Sequence, residues 1–375
     1  MKRQFKWIFI LIAIVVFLFA GGKLPGEPLG SRAMVVGFGI DVVSDKEIKI
    51  SAQILKPSSD ETAGQKTLVV TATHSTISGA MTKISEKAGH SVALTHCNVV
   101  FICQKLAKSK NFYSVLNYLI TNNYLSENAF LFAVDGTTED LLISNTAFSG
   151  NASIYVQKLV GTYAEYNDIA MVTLQDFVVK YHSLAKSNVL PLIKKEPVQK
   201  EQSEQPTDSD QYVFTMNSVY VFKENDYIGE YDRNATLAVN YANNDLNKGA
   251  VDCVGDHGEM IDLYLVNKKS KFSYDLEKRT AKLSIDMESV LKEIVDYGEN
   301  DSYIDRTTLS EGEKARTKEK IADIILSFYK EMQRIDVDVY GLLDGFHSKY
   351  GKKAAFLTIK DIDLSIEIDL NVHEV

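Results

Sequence analysis

Proline does most to constrain this chain. The six prolines are Pro25, Pro28, Pro57, Pro191, Pro197 and Pro206, and none lies between 58 and 190 or after 206. Proline lacks an amide hydrogen and has a fixed φ, so helix interiors and central strands exclude it. The two long gaps therefore predict two continuous folded blocks. Between them, residues 194–210 read KKEPVQKEQSEQPTDSD, with Val198 the one large apolar side chain. Such a stretch has nothing to bury and reads as an interdomain linker. A length of 375 residues suggests two or three domains at about 100–200 residues each. Hydrophobic residues at 45% and charged residues at 24% are ordinary for a globular chain. They exclude a mainly disordered, collagenous or polytopic membrane protein.

Charge narrows the partners. Lys plus Arg is 41 against 50 Asp plus Glu, a net charge of −9 with a pI near 5.4. A nucleic-acid-binding chain normally carries a basic face, so nucleic acid is not expected as a partner. Cys97, Cys103 and Cys253 are too few, and odd in number, for a secreted disulfide framework. If Cys97 and Cys103 share a strand, they stand about 20 Å apart, beyond the reach of a disulfide. Buried free thiols are expected, and the spacing is too wide for a zinc pair.

The first residues set the compartment. Met1 to Lys6 is basic, and Trp7 to Ala20 is a run of fourteen apolar residues. This is the pattern of a signal segment. As a helix, residues 5–22 span about 27 Å, slightly less than the hydrocarbon core of about 30 Å. The segment is either a cleaved signal or a short uncleaved anchor. Basic residues ahead of it place the remainder outside the cytoplasm. The run ends Leu18-Phe19-Ala20-Gly21-Gly22, which is similar to a bacterial lipoprotein signal. The thiol that would take the lipid is missing, since no cysteine precedes Cys97.

Patterning predicts an α+β chain: mixed β-sheets packed with helices, after the N-terminal apolar segment. In the first block, Met34–Val43 and Ile48–Ile54 form a hairpin about Ser44-Asp45-Lys46. Leu68–Val70, Leu94–Cys103 and Ala129–Val134 are strands. A helix follows Ser75, a candidate cap, with Ile77, Ala80, Met81, Ile84 and Ala88 on its apolar face; a second helix covers Phe112–Asn123. In the second block, Val213–Phe222 and Ala281–Met287 are strands. Ile362, Leu364, Ile366, Ile368, Leu370 and Val372 alternate with polar residues and mark the clearest strand. Glu313–Arg334 is an amphipathic helix with Ile321, Ile324, Ile325, Phe328 and Met332 on one stripe, expected to pack on its own sheet. The division is 1–22 signal or membrane anchor, 30–193 first α+β domain, 194–210 linker and 211–375 second α+β domain.

Motifs of catalysis are missing. Gly37-Phe38-Gly39 begins like a dinucleotide loop, but Val42 stands at the third glycine and the stretch lies inside a strand. There is no phosphate-loop lysine, no HExxH and no nucleophile-elbow serine. His74, His90, His96 and His182 are scattered. Glu367 and Asp369 alternate on the polar face of a strand, which is normally solvated. No catalytic, cofactor-binding or metal-binding residue is assigned.

Several stretches taken in order carry a resemblance. They are Gly37-Phe38-Gly39-Ile40-Asp41, then Ile50-Ser51-Ala52-Gln53-Ile54-Leu55-Lys56-Pro57. Next come Leu94-Thr95-His96-Cys97-Asn98-Val99-Val100-Phe101-Ile102 running into Leu106-Ala107, and Val189-Leu190-Pro191-Leu192-Ile193. In the second block they are Tyr227-Ile228-Gly229-Glu230-Tyr231 and Asp338-Val339-Tyr340-Gly341. From about residue 30 to 375 the chain resembles the GerC family, the C subunits of nutrient germinant receptors of endospore-forming bacteria. It departs from the family where a lipobox cysteine, a Trp-Asp and a nearby acidic residue are usual, reading Gly22-Lys23-Leu24-Pro25-Gly26-Glu27 instead. The resemblance implies a non-enzymatic, extracytoplasmic, membrane-held subunit on the outer face of the inner spore membrane. Its partners would be two integral-membrane subunits, the A type and the transporter-like B type, with no cofactor. A second reading is an anchored extracytoplasmic small-ligand-binding protein, with a preformed pocket between the two blocks. A third is an envelope enzyme, with clustered polar residues of shifted pKa in a cleft.

Overall fold

The computed structural model describes residues 32–373 apart from 45, 57–66, 122–124, 199–210, 257, 297–301 and 304–307. The expected membrane segment at 1–22 and most of the expected linker lie outside the described residues. Among the described residues, no helix is long and apolar enough to cross a membrane. The architecture is α+β, with two mixed sheets and helices packed on them.

The first sheet begins with the expected hairpin, β1 (Arg32–Ser44) and β2 (Glu47–Leu55), extended antiparallel by β3 (Thr67–His74). β5 (Val99–Cys103), β6 (Phe130–Val134) and β7 (Ser187–Pro197) follow parallel to β1. β8 (Tyr212–Lys223) and β9 (Asp226–Tyr231) then return antiparallel. The order is β3-β2-β1-β5-β6-β7-β8-β9, with β4 (Ser91–Ala93) beside the start of β1. The central strands VVFIC and FLFAV show no alternation because both of their faces are buried. Val100 and Ile102 face α1 (Ile77–Ala88), α3 (Phe112–Thr121) and α6 (Leu174–His182). Val99 and Phe101 face α4 (Thr138–Ile143) and α5 (Ala152–Glu165).

Three local expectations shift. The cap of α1 is Thr76, not Ser75; the Thr76 side chain accepts from Gly79 N. Leu94–Cys103 is not one strand: Cys97 N donates to Leu94 O at 3.0 Å in a turn, and the strand starts at Val99. Sequence punctuation at 191–197 does not interrupt the sheet, for β7 runs through Pro191 to Pro197 and pairs with β8. Pro191 sits one residue before β6 joins β7 at Leu192, where a strand tolerates a missing donor.

The second sheet has β10 (Gly249–Val254), β11 (Met260–Asp275) and β12 (Thr280–Asp296) antiparallel in that order. β13 (Ser302–Tyr303) and the parallel strand β14 (Asp363–His373) both pair with β12. Its apolar face packs on α7 (Arg233–Ala242), α8 (Glu311–Arg334) and α9 (Leu342–Tyr350). Ser310 and Glu313 start α8 with a capping box: Ser310 Oγ accepts from Glu313 N at 3.1 Å, and Ser310 N donates to Glu313 Oε2 at 2.7 Å. The α8 stripe serves two cores. Ile321 and Ile325 pack on the second sheet, as expected, and Phe328 and Met332 pack into the core of the first. α7 does the same, with Ala238 and Val239 in one core and Leu237 and Tyr241 in the other.

Candidate site at the junction of the two sheets

The first resembling stretch, Gly37 to Asp41, lies in β1, and its small residues let two helix starts rest on the sheet. A Cβ on Gly37 would stand 1.8 Å from Ser153 Oγ of α5, and one on Gly39 would stand 2.3 Å from Thr138 Oγ1 of α4. Asp41, buried, takes the free amides at the start of α4: Thr138 N donates to Oδ1 at 2.7 Å and Glu139 N to Oδ2 at 3.2 Å. Thr138 Oγ1 adds a third bond at 2.8 Å. A carboxylate suits a helix N-terminus through both hydrogen bonding and the helix dipole. Gln53 of the second stretch joins in, accepting from Ser153 N at 3.0 Å and donating to Leu142 O at 3.1 Å. These residues build the fold rather than a pocket.

The last resembling stretch lies at the junction of the two sheets. Asp338 is buried, and its carboxylate accepts from Leu342 N at 3.0 Å and Leu343 N at 2.8 Å, capping α9. Gly341 occupies the left-handed region at φ 69°, which glycine adopts without a steric penalty. Asp338 N donates to Ser187 Oγ at the start of β7 at 3.1 Å. Asp344 accepts from Leu184 N at 2.7 Å, and Lys223 Nζ of β8 donates to Asp336 Oδ2 at 2.6 Å. Together these bonds stitch the α8–α9 connection to the first sheet.

Beside them lies a cavity of about 410 Å³ whose lining includes Val179, Ser187, Val239, Asp338 and Tyr340. Burial pushes the Asp338 carboxyl up to about 6, and its three backbone amide partners, Leu343, Leu342 and Gly341, oppose that rise. Burial also raises the Tyr340 hydroxyl well above the usual tyrosine range. The carboxylate is committed to the helix cap, and the Tyr340 hydroxyl donates to Ile325 O at 3.0 Å. The polar groups at this junction hold backbone segments together.

The other candidate groups lie apart. All three cysteines are buried free thiols. Cys97 donates to Val99 O at 3.2 Å, and burial pushes its thiol up to about 12. Cys103 caps the short helix α2 (Gln104–Ala107), its sulfur accepting from Leu106 N at 3.3 Å. His74 Nδ1 accepts from Thr76 N at the start of α1, while His182 meets the Tyr113 hydroxyl between α6 and α3. His96 is exposed in the turn before β5. Among the described residues, no group of three or more His, Cys, Asp or Glu side chains could hold a metal ion. Sequence reading missed Lys268, which is buried and pushed down to about 8 by desolvation. Its ammonium donates to Asn240 O at 2.8 Å and to Asn243 O, closing the C-terminal end of α7.

Two family profiles match the chain in succession. One, the spore germination protein N-terminal domain, matches residues 27–195. The other, spore germination B3/GerAC-like, C-terminal, matches residues 217–375. Among solved structures, the crystal structure of the GerBC protein is similar, with a TM-score of 0.53 and 15% sequence identity over 90% of this chain and 96% of that one. At that identity the likeness is one of fold. Comparison with curated protein sequences gives no match.

Proposed function

The chain belongs to the GerC family of spore germination proteins, and from that membership we propose that it is the accessory C-type subunit of a nutrient germinant receptor. The observation that carries the reading is the ordered match of both family domains over most of the chain. In this reading it has no enzymatic activity. It is held at the outer face of the inner spore membrane by residues 5–22. It works through protein–protein surfaces with the A-type and B-type membrane subunits. The junction geometry supports this, because its ionisable groups are spent on caps and cross-sheet hydrogen bonds.

A second reading, an anchored extracytoplasmic small-ligand-binding protein, draws on the cavity of about 410 Å³ between the blocks, within the size range of small-molecule sites. Gene deletion separates the two. An accessory receptor subunit leaves vegetative growth normal and slows germination in response to some nutrients and not others. A growth defect in rich medium, with germination unchanged for every nutrient, would reject the receptor reading.

A further inference from the structure

The edges of the two sheets are finished differently. β3, the outer strand of the first sheet, is sealed by side chains: Lys83 Nζ and Lys87 Nζ of α1 donate to Thr73 O at 3.1 Å and Thr71 O at 2.6 Å. β14, at the edge of the second sheet, has β12 as its one strand neighbour among the described residues. Its ladder runs from Thr280↔Asp363 to Val290↔His373 without a bulge. No described lysine donates to a β14 carbonyl. The side-chain bond to its backbone comes from Ser289 Oγ on the strand already paired, to Asn371 O at 3.4 Å. An edge of eleven residues, about 35 Å long and free of proline, bulge or lysine cover, has the geometry that recruits another strand.

The side chains state which strand fits. On the inner face, Leu364, Ile366, Ile368 and Val372 pack against the second core yet stay partly exposed, because the sheet stops beside them. On the outer face stand Asp363, Glu367 and Asp369, all exposed. Asp369 lies directly opposite Asp286 of β12, a like-charge pairing that destabilises a sheet. Lys282 answers one of these carboxylates, Glu367, at 2.8 Å. A second copy of this chain meets like charges in its longest antiparallel registers. Antiparallel pairing centred on Glu367 sets that residue against itself. Centring on Ile368 sets Glu367 against Asp369, and centring on Ile366 sets Asp363 against Asp369.

We propose that β14 is a docking edge for a strand of another polypeptide, one that presents Lys or Arg at alternate outward positions and aliphatic residues between them. The backbone ladder supplies affinity, the aliphatic row completes the cover over Leu364 to Val372, and the cations answer Asp286 and Asp369, Glu367 being already paired with Lys282. The acidic row has a double effect, deterring self-pairing while attracting a basic strand. This inference stands apart from the receptor reading, since a strand-pairing edge is a property of the chain alone.

Hydrogen–deuterium exchange on the full chain at low ionic strength tests it. The probes are a synthetic nine-residue peptide alternating lysine and valine, and its glutamate–valine counterpart. The lysine peptide is expected to slow amide exchange across 363–373 about tenfold and saturably, while the glutamate peptide leaves it unchanged. In the double variant Glu367→Lys with Asp369→Lys, at exposed positions, the preference between the peptides reverses. The proposal is overturned by no slowing with either peptide, by equal slowing with both, or by an unchanged preference for the lysine peptide in the double variant.

Discussion

Asp338 shows how one side chain at the junction links ionisation to stability. An unfolded aspartate titrates near 3.9, whereas burial in the native state pushes Asp338 up to about 6. The native state therefore binds this proton more readily than the unfolded chain. The contribution of Asp338 to stability falls as pH rises from about 4 to about 6 and stays low above that. Two pKa units correspond to about 3 kcal/mol at neutral pH. Asp338→Asn removes the charge but leaves one acceptor oxygen where the carboxylate uses two, Oδ1 for Leu342 N and Oδ2 for Leu343 N. Thermal melts should show the stability of the variant relative to the parent rising by several degrees between pH 4 and pH 7.5, as the buried carboxyl of the parent ionises. A difference that is constant across pH would reject the assignment. The resemblance marked Asp338-Val339-Tyr340-Gly341, but not its role as a cap. Asp338 is placed by contacts such as its backbone bond to Ser187, 151 positions away, and no local pattern carries that distance.

Legibility of the elements followed the regularity of their surroundings. The strand 363–373 was plain because its two rows meet different media along its whole length. β12 was legible at Ala281–Met287, although it continues to Asp296. The β11–β12 ladder shifts register between Asp262/Leu263 and between Leu265/Asn267. Each shift puts neighbours out of alternation: Lys292 and Glu293 are both exposed, and Lys268 is buried. α2, α4, α5, α6, α7 and α9 carry no clear periodic signal, being short or interrupted by polar residues that face other elements, such as buried Ser153 in α5 and Thr236 in α7. Helix-on-sheet contact gives a direct prediction. Gly37→Ala puts a methyl 1.8 Å from Ser153 Oγ and 2.6 Å from Ser153 Cβ, an overpacking that costs about 1–3 kcal/mol or more. Denaturant unfolding should show that loss, and Ser153→Gly should restore part of it. A Gly37→Ala variant as stable as its parent would mean that α5 does not sit on β1 as described.

For the whole molecule, the composition of 194–210 suggests a seam between blocks, whereas one sheet runs on past it from β7 to β8 and two helices enter both cores. β7 pairs with β8, while α7 and α8 each enter both cores. A protease is expected to cut first within 199–210, where the sequence is polar and carries nothing to bury. The two fragments should then co-elute in gel filtration until denaturant is added. Fragments that separate without denaturant, or a first cut within 67–121, would contradict this account. A chain joined in this way suits the proposed role, a subunit that couples membrane partners. The measurement that bears on it most directly is purification of the affinity-tagged full chain from detergent-solubilised inner membranes of spores. The account predicts that an A-type and a B-type membrane subunit come with it in comparable amounts. Recovery of the chain without either membrane subunit, from spores that contain both, would contradict it.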